Sequence, residues 1–291
     1  MTGSITLLEV VRRSTTFLAE RGSESPRLDA ELLSAHVLGV RRLDVYLQFD
    51  RLLRDGELEP IRALLRRRAA GEPVAYLLGE KEFCGRAFTV TPSVLIPRPE
   101  TELLVERVLL WARATAPPGD ARIIDAGTGS GCVAVTLAAE LPQARLLASD
   151  VSGEATLVAE ANAARHGVGD RCTFSRGSWL EPFDAAPPVD ALVSNPPYVT
   201  TSEFDSMMRD VRDFEPRVAL DGGDDGLDAY RAIVAAARAR LRGGGLIALE
   251  IDPRRRAAVE SLVVESWPGS RVTVSTDLSG RERVVEVCLP Q

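Results

Sequence analysis

A doubly wound α/β sheet of seven strands, preceded by a small helical bundle and a β-hairpin linker, is the fold class that the sequence predicts. Three observations predict it. From about residue 100 onward, apolar runs of strand length alternate with segments of helical period, the pattern left by helices packed on both faces of a mostly parallel sheet. Residues 5–72 carry helical periodicity alone, with apolar residues three and four apart. Between these regions lie short β-type runs broken by Gly79, Gly85 and Pro92. The expected division is a helical domain over 1–78, a hairpin linker over 79–99 and the sheet domain over 100–291.

In order, the bundle is predicted as helices over 5–20, 27–38, 42–49 and 58–70. Gly22 and Gly39 follow two of these as C-terminal breakers, Ser25-Pro26 opens the second, and Gly71 with Pro73 closes the last. In the linker, Phe88-Thr89-Val90 and Val94-Leu95-Ile96 read as β runs. A helix over 101–114 and a Pro117-Pro118-Gly119 break lead into the alternation. Strands are predicted over 123–126, 144–148, 172–175, 189–193, 246–251, 272–276 and 283–289, and helices over 132–140, 154–165, 227–241 and 253–265. Gly243-Gly244-Gly245 reads as a turn. Seven strands ending in a hairpin is the pattern of the Rossmann-like class I S-adenosylmethionine-dependent methyltransferases, although alternation alone also admits a dinucleotide dehydrogenase.

Length and composition narrow the function. The 291 residues, 45% of them hydrophobic, can build one large domain and one small one, each with its own core. No apolar stretch approaches the ~20 residues of a membrane span, and residues 1–9 lack the charged and apolar regions of a secretion signal, so a soluble, cytoplasmic protein is expected. Cys84, Cys132, Cys172 and Cys288 are scattered, and His36 and His166 are the only histidines, so neither a disulfide framework nor a metal site is expected. Both histidines fit surface or helix-end positions, and no Ser/His/Asp constellation can be assembled. The net charge of -7 argues against a protein that grips nucleic acid phosphates. Arg66-Arg67-Arg68 reads as a solvated helix face, with contact to RNA or an acidic partner as the alternative.

The loop Asp125-Ala126-Gly127-Thr128-Gly129-Ser130-Gly131 joins the first strand to the first helix of the sheet domain, where glycines let the backbone approach a ligand. Asp150 ends the second strand and can accept hydrogen bonds from both ribose hydroxyls of an adenosyl cofactor. The Gly-x-Gly-x-Gly spacing differs from the dinucleotide Gly-x-Gly-x-x-Gly, because Cys132 stands where the third glycine would be. A sulfonium cofactor is therefore favoured over NAD.

Asn195-Pro196-Pro197-Tyr198 follows the fourth strand, on the same carboxyl edge of the sheet as the glycine loop and Asp150. Proline fixes φ, lacks an N–H and holds its predecessor extended, so the segment is stiff and presents acceptors. The Asn195 side-chain oxygen and the Pro196 carbonyl can each accept one hydrogen of a planar NH₂ group, with the Tyr198 ring over its face. An amino-group methyltransferase is the activity that this suits.

These residues resemble the protein-(glutamine-N5) methyltransferases that modify bacterial class 1 peptide chain release factors. The resemblance covers nearly the whole chain. It includes Ser25-Pro26-Arg27-Leu28-Asp29-Ala30-Glu31, Gly71-Glu72-Pro73-Val74-Ala75-Tyr76, Leu95-Ile96-Pro97-Arg98-Pro99-Glu100-Thr101-Glu102 and Phe214-Glu215-Pro216-Arg217-Val218-Ala219-Leu220, beside the glycine loop and the Asn-Pro-Pro-Tyr segment. The family acting on a ribosomal-protein glutamine differs at Pro97-Arg98-Pro99-Glu100-Thr101-Glu102, and adenine-N6 methyltransferases lack that hexapeptide and this N-terminal domain. Glu250-Ile251-Asp252 departs from the Glu-Ile-Gly or Glu-His-Gly of many members.

The resemblance implies that Gly127, Thr128, Gly129, Ser130, Gly131, Asp150, Trp179 and Asn195 contact S-adenosylmethionine, Trp179 lying against the adenine. It implies that Asn195, Pro196, Pro197 and Tyr198 bind the glutamine of a Gly-Gly-Gln motif, with Asn195, Pro196 and Tyr198 as the catalytic set. Phe88 is a candidate for the wall of the glutamine pocket or for core packing. Class 1 release factors are the expected protein partner of a monomeric enzyme that makes no direct nucleic acid contact. Residues 200–225, rich in acids, suit a rim or lid or a solvated loop, and Arg98 and Glu100 suit that entrance or a pair with each other. The alternatives are methylation of a ribosomal-protein glutamine or adenine N6, and a catalytically silent module that binds release factor or ribosome.

Overall fold

Adjacent isoleucines on one strand show how the sheet is covered: Ile123 packs into the core on one face and Ile124 into the core on the other. Strands buried on both faces read as continuous apolar runs, which is why this part of the sequence was legible. The computed structural model describes residues 5–115 and 121–291. The Pro117-Pro118-Gly119 break and residues 1–4 lie outside the described residues.

Two compact units emerge, one reaching to Glu80 and including Met208–Phe214, the other formed by Lys81–Met207 and Glu215–Gln291. The first contains β1 (Ile5–Thr6), α1 (Leu7–Ala19), α2 (Pro26–Leu38), α3 (Arg42–Leu47), β2 (Leu52–Leu53), α4 (Asp55–Ala69) and α5 (Val74–Leu78). Its core is built from Leu7, Leu18, Leu33 and Ile61, each at most 1% exposed. Ile5 and Thr6 were expected inside the first helix. They pair instead with Leu52 and Leu53, and the Thr6 hydroxyl accepts from the Glu9 N–H at 3.3 Å, so the helix starts after its cap. The helix α5 was missed because five residues between Pro73 and the left-handed Gly79 are too few for a period to show. Arg68 corrects the reading of the arginine run: it is largely buried and donates to Asp29 at 2.7 Å, while Arg66 and Arg67 are exposed.

In the second unit, β3 (Glu80–Phe83) and β4 (Arg86–Thr89) form the hairpin. Then follow α6 (Glu100–Thr115), β5 (Arg122–Ala126), α7 (Cys132–Glu140), β6 (Arg145–Asp150), α8 (Gly153–Arg165), β7 (Cys172–Arg176) and β8 (Val189–Ser194). After α9 (Thr201–Phe204) the chain passes through α10 (Arg209–Phe214), which belongs to the first unit, and then forms α11 (Asp228–Ala237), β9 (Leu241–Glu250), α12 (Arg256–Ser266), β10 (Arg271–Thr276) and β11 (Glu282–Cys288) of the second. The sheet order is β10-β11-β9-β8-β5-β6-β7, parallel except at β11, which is antiparallel to both neighbours. Residues of α6, α7 and α8 fill one face and those of α11 and α12 the other. The order of strands reverses between β5 and β8, and the carboxyl ends of strands around such a point form a crevice.

Two local expectations fail for stated reasons. Val94-Leu95-Ile96 is not a strand, because the Ile96 N–H is taken by the Glu215 carboxylate at 3.1 Å and the Val94 N–H by the Thr91 carbonyl at 3.0 Å. Gly243-Gly244-Gly245 is not a turn but part of β9: the register slips between Val189 opposite Leu241 and Ala191 opposite Leu246, absorbing the triplet as an irregularity. A Cβ on Gly245 would stand 2.8 Å from the Asp190 carbonyl oxygen, so the neighbouring backbone approaches too closely for a side chain. Among the described residues no helix is long and apolar enough to cross a membrane.

Candidate active site

The carboxyl ends of β5, β6 and β8 border a cavity of about 270 Å³ whose walls all belong to the second unit. Gly127 and Gly129 form one side, Asp150 and Trp179 a second, Asn195 and Pro197 a third, and Ser93, Leu95, Pro216 and Val218 complete the rim.

Asp150 is held in place by backbone donors. Its Oδ2 accepts from the Gly129 N–H and its Oδ1 from the Ser152 N–H, each at 2.9 Å. Each oxygen keeps a further lone pair for a diol. Burial raises its carboxyl from the ordinary value, and the N–H donors of Ser152, Gly129 and Val151 oppose that rise. Asp125, beneath the loop, does structural work: its Oδ2 accepts from the Thr128 hydroxyl at 2.7 Å and from the Ala134 N–H at 3.2 Å. Burial pushes Asp125 up to about 6 against those two bonds.

The five loop residues expected at the cofactor therefore separate. Gly127 and Gly129 reach the cavity; Thr128 and Ser130 are buried and do not line it. Gly131 corrects the reading as well: a Cβ there would lie 2.9 Å from Ala159 Cβ, so its glycine serves close packing on α8. Trp179 is at the cavity wall, with the left-handed φ of 48° that is uncommon outside glycine, and its carbonyl accepts the Ser149 hydroxyl.

The Asn-Pro-Pro-Tyr segment also separates. Asn195 and Pro197 line the cavity, whereas Pro196 is buried and does not line it, and Tyr198 packs against the core beside α11 and β9. Burial first, and then the neighbouring Glu250, push the Tyr198 hydroxyl well above its ordinary value, so it is a neutral phenol and no base near pH 7. The Ser194 hydroxyl donates to the Ala126 carbonyl at 2.6 Å, tying the end of β8 to β5. The Asn195 Nδ2 donates to Thr101 Oγ1 at 3.0 Å, which leaves its side-chain oxygen free to accept. Phe88 is a correction: it is fully buried, edge-to-face with Phe83 at 6.0 Å between centroids and 5.0 Å from the His166 ring, and it does not line the cavity. His166 itself is at the C-terminal end of α8.

Several contributors were missed from sequence. Thr101, quoted only as part of a hexapeptide, fixes Asn195. Glu215 is 5% exposed and holds both the Ile96 N–H and Arg98, the latter at 2.6 Å, next to Pro216 on the cavity rim. Arg98 thus pairs with Glu215, and Glu100 lies 3.7 Å from Arg283, so the two do not pair with each other. In 200–225, acids are bound to arginines: Glu203 to Arg255 at 2.7 Å, and Asp221 to Arg217 at 2.8 Å. Asp252, the family departure, accepts from the Arg254 N–H at 2.8 Å and caps a short 3₁₀ turn.

Gly222 backs the Asn-Pro-Pro-Tyr turn: a Cβ would stand 2.7 Å from the Pro197 oxygen and 2.9 Å from Tyr198 Cα. Gly222→Ala is expected to cost about 1–3 kcal/mol of stability and to displace the turn, measured as a lower urea midpoint together with lost activity. An unchanged midpoint would show that the turn yields without cost.

The residues present fit an adenosyl sulfonium: two glycines open the wall, a fixed carboxylate keeps free lone pairs, and an aromatic ring flanks them. Among the described residues no group of three or more His, Cys, Asp or Glu is placed to hold a metal ion.

Comparison with known proteins gives concordant matches. The family described as PrmC N-terminal domain matches residues 9–79, and that described as Methyltransferase small domain matches residues 101–211. The release factor glutamine methyltransferase of Nitratidesulfovibrio vulgaris is 43% identical over 285 residues, covering 98% of this chain and 95% of that protein. That of Geobacter sulfurreducens is 45% identical over 246 residues, 84% of each chain. Among solved structures, the hMettl16 catalytic domain in complex with an RNA hairpin aligns with a TM-score of 0.56 at 16% identity, over 78% of this chain and 82% of that one. The ribosomal protein L11 methylase of Lactobacillus delbrueckii subsp. bulgaricus aligns at 0.50 and 19% identity, over 69% and 84%. At such identities these two structures speak for the fold alone.

Proposed function

Because the chain belongs to the release factor glutamine methyltransferase family, we propose that it methylates the side-chain nitrogen (N5) of the glutamine in the Gly-Gly-Gln motif of class 1 release factors. It is an S-adenosylmethionine-dependent protein-glutamine methyltransferase. The observation that carries the site assignment is the orientation of Asn195, with its amide nitrogen on Thr101 and its oxygen left to accept at the cavity wall.

Bound S-adenosylmethionine supplies an electrophilic methyl group. Asp150 holds the ribose, Gly127 and Gly129 let the backbone lie close to it, and Trp179 flanks the adenine. An amide nitrogen is a poor nucleophile because its lone pair is delocalised into the carbonyl, the resonance behind a peptide rotation barrier of ~18–20 kcal/mol. The Asn195 oxygen at the cavity wall accepts one hydrogen of the substrate NH₂. As positive charge develops on that nitrogen, an acceptor already in place stabilises it more than it stabilises the ground state. The stiff Pro-Pro backbone supplies orientation, which accounts for several kcal/mol of the barrier, on the order of what positioned reactants gain elsewhere. Tyr198, a neutral phenol, anchors the turn through its packing and takes no proton. No strong base is needed, since an N-alkylated amide cation gives its proton to water.

The N-terminal helical unit recognises the body of the release factor, and the enzyme acts as a cytoplasmic monomer without direct nucleic acid contact. The net charge of -7 supports the last point. The test is S-adenosylhomocysteine formation with unmodified release factor, ribosomal protein and adenine-containing RNA offered in parallel. Product with release factor alone is expected. Product only with another acceptor would reassign the substrate, and none with any acceptor would leave a silent binding module.

A further inference from the structure

We propose that Glu215 is a positioning residue: its carboxylate clamps together the two rim segments of the active-site cavity and, through the segment that ends at Thr101, keeps the Asn195 side chain in place for the substrate glutamine. The inference rests on the role given to Asn195 above and deepens it.

Two stretches far apart in sequence supply the rim: Ser93, Val94 and Leu95 from one, Pro216, Val218 and Ala219 from the other. Neither is part of the sheet, so no ladder of backbone bonds sets their spacing. The second follows directly on Met208–Phe214, which belongs to the first unit. Its far end is fixed by Val199, whose N–H donates to the Leu220 carbonyl at 3.0 Å and whose carbonyl accepts the Gly222 N–H at 2.8 Å. Its near end is fixed by what Glu215 grips.

Glu215 grips the first stretch with both oxygens. Oε2 accepts the Ile96 N–H at 3.1 Å, and Oε1 accepts from the Arg98 Nη2 at 2.6 Å. A backbone amide and a guanidinium can only donate, so both bonds have a single direction. Glu215 and Ile96 are buried, and bulk water does not replace either as a partner. Ile96, Arg98 and Glu215 each precede a proline, which restricts the residue before it to extended backbone, so the clamp joins stiff segments. From the clamp the path to the acceptor is short: the Arg98 carbonyl accepts the Thr101 N–H at 3.1 Å, and the Thr101 side chain holds Asn195 at 3.0 Å. The ribose carboxylate is held separately, since Asp150 takes its bonds from Gly129 and Ser152. Loosening the clamp therefore displaces the rim and the acceptor and leaves Asp150 where it is.

The test uses the full chain, S-adenosylmethionine and unmodified release factor, at a temperature where every variant is folded by circular dichroism. Glu215→Gln has one acceptor oxygen for two donors; it stays with the buried Ile96 N–H, because the partly exposed Arg98 can turn to water. Its kcat is expected to fall about 10-fold, with the dissociation constant for S-adenosylmethionine within about threefold. Arg98→Leu breaks the same bond from the other end and should match it. Arg98→Lys keeps a charged donor for Oε1 and is expected to return kcat to within about threefold of wild type. Because both substitutions act on one bond, the double variant Glu215→Gln/Arg98→Leu should be no slower than Glu215→Gln alone, within about twofold. Glu215→Ala loses both holds and is expected to lower kcat about 100-fold. In that variant the Ile96 amide should exchange its hydrogen about tenfold faster while the Leu192 amide of β8 keeps its rate. Full kcat in Glu215→Gln, an Arg98→Lys variant as slow as Arg98→Leu, multiplying losses, or cofactor affinity falling in step with kcat would each overturn the clamp. Should Glu215→Ala not fold, the Gln variant and the two Arg98 variants decide. An active wild type with the wrong variant pattern sinks the clamp alone. A wild type that binds S-adenosylmethionine and methylates no release-factor glutamine overturns both the clamp's role and the substrate assignment.

Discussion

Asn195→Ala is expected to reduce kcat by about 10²- to 10³-fold while the dissociation constant for S-adenosylmethionine stays within about threefold. Its side chain is the acceptor at the cavity wall whose nitrogen is already engaged by Thr101, so truncation removes a group fixed before the substrate arrives. An interaction that strengthens as charge develops on the nitrogen shows in kcat, not in ground-state affinity. Single-turnover rates at saturating cofactor, set beside calorimetric titration of the cofactor, separate the two. Equal losses in both would make Asn195 a cofactor ligand first.

Asp150→Ala is expected to do the reverse, weakening S-adenosylmethionine binding about 100-fold with kcat at saturation within about fivefold. Each carboxylate oxygen is fixed by a backbone N–H at 2.9 Å and keeps a lone pair for a ribose hydroxyl, so the variant loses two charge-assisted bonds to the ligand. It also strands the Gly129 N–H at the cavity wall. Calorimetric titration of wild type and variant checks this. An unchanged dissociation constant would remove Asp150 from the ribose site.

The parts of the fold read correctly from sequence are those governed by burial. Val189–Ser194 and Arg122–Ala126 are inner strands covered on both faces, and their apolar runs announce them. Cys132–Glu140 is bounded by a glycine and a leucine and was placed without error. What failed depended on distant partners. Val94-Leu95-Ile96 has strand composition, yet a glutamate 119 residues away takes the Ile96 N–H. The glycine triplet has turn composition, yet pairing within the sheet draws it into β9.

The site divides in the same way. Gly127, Gly129, Asp150 and Asn195 were legible because a strand-loop-helix frame sets them at one edge of the sheet, and Trp179 was given only by the family resemblance; all five line the cavity. Phe88 was not, since an aromatic in a hairpin looks alike whether it faces a cavity or, as here, packs on Phe83 and His166. Thr101 was not, because it meets Asn195 only when α6 is brought to the end of β8. Gly131 and Gly222 carried the right residue type, but what each glycine makes room for is set by a chain segment brought alongside.

The most direct test is site-resolved mass spectrometry of unmodified class 1 release factor incubated with this protein and S-adenosylmethionine, with fragmentation around Gly-Gly-Gln. The expected result is one added methyl group, carried on the side chain of that glutamine. An unmodified glutamine, under conditions where cofactor binding is demonstrated, would contradict the assignment.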